Sequence, residues 1–176
     1  MPSSLLMPTS RSTAAARPLR PEPALPAVRP EDPAVRVMTD FSHERPITVT
    51  EGRRIDDALE DMIRFGVRAL LVVRGERVVG LITSYDIQGE RPMQFLQGST
   101  YRRHDELQVG HIMTPWEVVR SLDWESMRFA RVREVVEVFD STRVTHLVVS
   151  EVLPDSSILV RGLISRTRLE RQLARP

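Results

Sequence analysis

The stretch GLITSYDI, Gly80 to Ile87, decides how this chain is read, because GLISRTRL, Gly162 to Leu169, nearly repeats it. Both copies open with glycine and two aliphatic residues and then place a hydroxyl, Thr83 or Ser165. They part three residues later, where Asp86 in the first copy becomes Arg168 in the second. Working outward, ALLVV (Ala69 to Val73) is a short β-branched run that reads as a buried strand. RGER (Arg74 to Arg77) reads as a hairpin turn, and VVGLIT returns as the partner strand. Upstream, Ile55, Ala58, Leu59, Met62 and Ile63 recur at the spacing of one apolar helix face.

The same series occurs again downstream. Val132, Val135, Val136 and Phe139 mark an equivalent helix face, and HLVV an equivalent strand. Met38-Thr39 aligns with Met113-Thr114, Ala58 with Val135, Met62 with Phe139, Val67 with Val144 and Gly80 with Gly162. Landmarks in constant order with small drift indicate an internal duplication. A unit of about 60 residues buries little apolar surface alone, so two such units are expected to pack into one body.

Composition narrows the function. The chain of 176 residues carries 25 basic and 24 acidic residues for a net charge of +1, which gives no electrostatic case for nucleic acid. It has no cysteine, which excludes disulfides, thiolate catalysis and cysteine-ligated zinc. The four histidines show no metal-ligand spacing, and no apolar run approaches the roughly 20 residues that span a bilayer. No P-loop, Ser/His/Asp arrangement or acid pair is visible, so no catalytic residue is assigned and the chain reads as a non-enzyme. Cytoplasmic localisation is the default. Residues 1–33, dense in proline, read as a disordered arm that joins no core; their Arg and Ser content mildly suggests a transit peptide, but the prolines oppose its helix. The first unit is placed at 34–90, a partly packed linker at 91–108 and the second unit at 109–176.

The ordered series of Met-Thr, amphipathic helix, aliphatic strand, glycine hairpin and G-h-h-[ST]-x-x-[DN] resembles the CBS domain, and the tandem resembles a Bateman module. The resemblance covers roughly residues 35–90 and 109–174. It implies an α/β (α+β) fold of two units related by a pseudo-twofold axis, each a small mixed sheet with flanking helices. It also implies a regulatory module that senses an adenine nucleotide of the AMP, ADP or ATP class between the units, assembles as a homodimer and signals through dimer shape or an effector protein. A ligand-free interaction module is the alternative.

The resemblance places Asp86 on the ribose hydroxyls, Thr83 near the phosphates with Gly80 and Ser84 beside it, and Thr39, Arg68 and Ala69 around the adenine. The chemistry agrees: a helix N-terminus favours phosphate, and a carboxylate accepts from two hydroxyls. Thr83 and Asp86 could equally cap the helix, and both readings can hold. In the second copy Arg168 cannot accept from ribose. Ser165, Arg166, Arg168 and His146 therefore outline a second cleft that is vacant or a solvated basic helix in the preferred reading, and a phosphate grip in the other. No cofactor or metal is assigned.

Overall fold

A computed structural model describes residues 26–101 and 103–174; residues 1–25, and with them most of the proline-rich arm, lie outside the described residues. The elements run β1 (Thr39–Asp40), β2 (Thr48–Thr50), α1 (Ile55–Phe65), β3 (Ala69–Arg74), β4 (Arg77–Thr83), α2 (Ser84–Gln88), α3 (Arg91–Gln97), α4 (Val109–Ile112), β5 (Thr114–Pro115), β6 (Ser121–Asp123), α5 (Trp124–Phe129), α6 (Val132–Ser141), β7 (His146–Val152), β8 (Ile158–Ser165) and α7 (Arg166–Leu173). They form two four-stranded mixed sheets of matching design, β2-β3-β4-β5 and β1-β8-β7-β6. In each, one parallel pair (β2 with β3, β6 with β7) flanks an antiparallel hairpin (β3 with β4, β7 with β8).

The outer strands are exchanged between the halves. β1, from the first Met-Thr segment, pairs with β8, with Thr39 opposite Leu163; β5, from the second, pairs with β4, with Leu81 opposite Thr114. Reciprocal exchange is what a pseudo-twofold relation between the units requires. It also explains the glycine that opens each repeated phrase. A Cβ on Gly80 would lie 2.6 Å from the Thr114 carbonyl oxygen, and one on Gly162 would lie 2.4 Å from that of Thr39. The close backbone approach that these glycines permit is therefore that of the exchanged strand.

Three apolar clusters hold the fold together. Ile55, Ala58 and Met62 of α1 pack with Leu70, Val72 and Ile82 in the first unit; Val132, Val135 and Phe139 of α6 pack with Leu147, Val149 and Ile164 in the second. Alternate residues of β3 and β4 face the other way, so Ala69, Leu71 and Leu81 join Phe41, Val119 and Leu163 between the two sheets. Both faces of β3 are thus buried, as its unbroken aliphatic run requires. Met38 is buried and Met113 packs against the first core.

Two local expectations change. Ile63 is 74% exposed, although it belongs to the apolar set of α1. At about 100° per residue it lies roughly 80° from Ile55, at the edge of the face that Met62 and Ala58 centre on the core. The proline-rich stretch does reach a core. Val28 is buried, its N–H donates to the Gln172 carbonyl at 3.1 Å, and the Pro30 and Asp32 carbonyls accept from the N–H groups of Arg133 and Val132. Proline lacks a donor but keeps its acceptor, so residues 26–33 can lie along the second unit through their carbonyls and the few remaining N–H groups. The 91–108 stretch folds in its first half as α3, and Leu107 is completely buried in the first core.

Candidate functional site

The two repeated phrases end in strand-to-helix turns that do opposite things. At the first turn, Asp86 Oδ2 accepts from the Thr83 N–H at 2.8 Å and the Thr83 hydroxyl at 2.7 Å, while the Asp86 N–H donates to Thr83 Oγ1 at 3.2 Å. This is a complete capping box on α2. The other carboxylate oxygen, Oδ1, pairs with Arg91 at 2.9 Å. Arg91, carried by α3, also donates to the Ile112 carbonyl and the Thr114 hydroxyl, each at 3.0 Å. Both oxygens of Asp86 are therefore engaged, and the guanidinium of Arg91 closes the turn. Thr83 is buried, and the Ser84 N–H donates to the Arg68 carbonyl at 2.9 Å.

At the second turn the cap is open. Ser165 makes no side-chain bond to the first turn of α7. Arg168 donates through Nη1 to the Thr39 hydroxyl at 2.8 Å, and its Nε is buried with no acceptor among the described residues. A cleft of ≈ 540 Å³ opens here between the units. One wall carries Thr39, Arg45, Val67, Arg68 and Ala69; the other carries His146, Ser165, Thr167, Arg168 and Arg171. Among the described residues, four guanidiniums thus share the cleft with a single carboxylate, Glu44.

The exchange of β1 decides which predicted residues meet. Thr39, Arg68 and Ala69, expected beside Asp86, instead line the cleft of Ser165, Arg168 and His146. Gly80, Thr83, Ser84 and Asp86 are absent from its lining. Arg166 also turns elsewhere. It donates to the carbonyls of Phe139, Thr142 and Val144, stacks 5.1 Å above the Phe139 ring and faces Asp140 at 3.6 Å. It is a cation at the C-terminal end of α6, where the helix dipole favours one.

His146 opens β7 opposite Ser165, 6% exposed, with Nδ1 3.0 Å from the Thr145 hydroxyl. Burial, and secondarily the charge of Arg68, lowers its pKa to about 4, so the imidazole is neutral at pH 7. At the rim, hydrogen bonds from Thr167 and from Arg68 hold the Tyr85 hydroxyl below its ordinary pKa; the Arg68 contact is 3.3 Å. The sequence reading missed Arg45, Thr167, Arg171 and Arg91. Arg168 and Arg171 stand three apart in RTRLERQLAR, a spacing that puts both on one helix face, and that was the available clue. Among the described residues, no group of three or more His, Asp or Glu side chains could hold a metal ion, and no helix is long and apolar enough to cross a membrane.

The turn-and-sheet design has a known counterpart. Residues 36–91 match the family model of the CBS domain. The first unit is thus similar to a CBS domain. The match spans the first unit, and the second has a sheet of the same design. A signal-transduction protein with CBS domains from Burkholderia ambifaria, so described only provisionally, is 27% identical, with 73% of this chain and 82% of that one covered and a TM-score of 0.55. An uncharacterized conserved protein from Pyrococcus horikoshii shares the fold at a TM-score of 0.58 and 18% identity, with 85% and 97% covered. CBSX2, a CBS-pair protein of Arabidopsis thaliana, superimposes in its complex with AMP at a TM-score of 0.51 and 21% identity, with 80% and 94% covered. Among curated protein sequences none matches the chain.

Proposed function

We propose that this CBS pair is a regulatory, non-catalytic module that senses an adenine nucleotide in the cleft between its units and passes the signal on through dimer shape or an effector protein. The observation that carries the reading is the cleft itself, with Arg68, Arg168 and Arg171 converging on it and the Arg168 Nε buried without an acceptor. A buried donor left unpaired is costly, and a phosphate oxygen would satisfy it. The AMP complex of CBSX2 supports the ligand class. Thr39, Arg68 and Ala69 hold one side of the nucleotide and Ser165, Arg168 and His146 the other. Gly80, Thr83, Ser84 and Asp86 then serve the fold of the first turn, and Arg166 serves α6.

The duplicated units are taken as residues 34–90 and 109–176. Exposed Ile63, Phe65 and Phe129 on α1 and α5 suit a homodimer surface, and cytoplasmic residence suits the ligand class. Calorimetric titration with ADP tests the reading. Arg168→Ala should weaken binding by about tenfold or more, the typical loss for a charged hydrogen bond, while Asp86→Asn should leave it within about threefold. The reverse pattern would move the ligand to the first turn. If the parent binds no adenine nucleotide at millimolar concentration, the ligand-free interaction module takes its place, a reading that the saturated carboxylate of Asp86 favours.

A further inference from the structure

We infer that the cleft recognises its ligand by phosphate charge and is indifferent to the ribose diol, so that it ranks nucleotides by phosphate number and accepts 2′-deoxynucleotides as readily as ribonucleotides. This rests on the proposed nucleotide reading and names the feature of the ligand that is read. A cis-diol presents two donors and needs acceptors, and an arginine offers none. Acceptor side chains are few among the described residues that line the cleft. Thr39 Oγ1 already takes a hydrogen bond from Arg168, and Nδ1 of His146 faces Thr145, which leaves the hydroxyls of Ser165 and Thr167 as the neutral acceptors. Among the described residues Glu44 is the one lining carboxylate, and it is exposed.

The repeat makes the same point from within the molecule. The position that holds the carboxylate of Asp86 in the first phrase holds the guanidinium of Arg168 in the second. The donors, by contrast, are abundant. Arg168 keeps a buried Nε without an acceptor, and Arg45, Arg68 and Arg171 line the same space. Ser165 leaves the first turn of α7 without a side-chain cap, so the positive end of that helix adds to the field. Guanidinium forks match phosphate oxygens in pairs, so each added phosphate gains partners here, while removal of a ribose hydroxyl costs none.

The test is calorimetry on the full chain at pH 7 with ATP, ADP, AMP and dATP, and with inorganic tripolyphosphate as competitor. ATP should bind about tenfold or more tighter than AMP, dATP should match ATP within about threefold, and tripolyphosphate should displace ATP. Arg168→Ala should shrink the preference of ATP over AMP by about tenfold; Arg68→Gln, at an exposed position, provides the same readout should the first variant fold poorly. The inference is overturned if AMP binds as tightly as ATP, or if dATP binds tenfold or more weakly than ATP. Either result leaves the nucleotide reading in place. If none of the four nucleotides binds, both fall together.

Discussion

Acidification should destabilise the protein through His146, and the size of the effect follows from its burial. The imidazole is 6% exposed, and its pKa falls from 6.5 to about 4, first because burial disfavours the charged form and second because Arg68 stands nearby. In the unfolded chain the same ring titrates near 6.5. Between the two values the unfolded state binds more protons, so stability rises with pH across that window. The contribution is complete above pH 6.5 and is lost as pH falls from 6.5 towards 4. A shift of this size is worth about 3 kcal/mol in full, and roughly 2.5 kcal/mol of it is gone by pH 4.5. Urea unfolding at pH 7.5 and 4.5 should therefore show a drop that the His146→Leu variant lacks by that amount. Asp40 and Asp155, held below the ordinary carboxylate range chiefly by hydrogen bonds from Ser42 and Ser157, act equally in both proteins and cancel in the difference. Parallel loss of stability in the two proteins, or a His146 ring that NMR finds titrating near 6.5 in the parent, would rule out this role for the buried imidazole.

Three further outcomes are expected. Asp86→Ala removes the reciprocal half of the capping box on α2 and the carboxylate partner of Arg91, and should cost about 1–3 kcal/mol in chemical denaturation. Gly162→Ala places a Cβ 2.4 Å from the Thr39 carbonyl and 2.6 Å from Met38 Cγ, so β1 must shift; a loss of about 1–3 kcal/mol by the same assay is expected, whereas no change would deny the close strand approach. Light scattering should give a dimer mass for the parent, and Phe129→Asp, at a side chain 78% exposed, should lower it if α5 forms part of the contact.

The elements were legible in the sequence wherever one residue pattern had one physical outcome. The aliphatic run of β3 demanded burial on both faces, and the repeated helix faces demanded two cores; both are found. The partner of β1 was not legible, because a strand of two residues carries the same pattern whichever sheet edge it joins. That one ambiguity carried Thr39 away from Asp86, and with it came the grouping of Arg68 and Ala69 with Arg168. The engagement of Asp86 was half legible: the capping box is written in the spacing of Thr83 and Asp86, but Arg91 reaches it only because α3 folds back over the turn. The anchoring of Val28 was hidden by the prolines around it, since composition reports the missing donors and not the carbonyls that bind the second unit.

A crystal structure grown with ADP would locate the nucleotide. Density is expected between the two units, with phosphate oxygens in hydrogen-bond contact with the Arg168 Nε and with Arg68, and with the Asp86–Arg91 pair intact. Density at the Thr83–Asp86 turn, with Arg91 displaced and the Arg168 cleft empty, would contradict that placement.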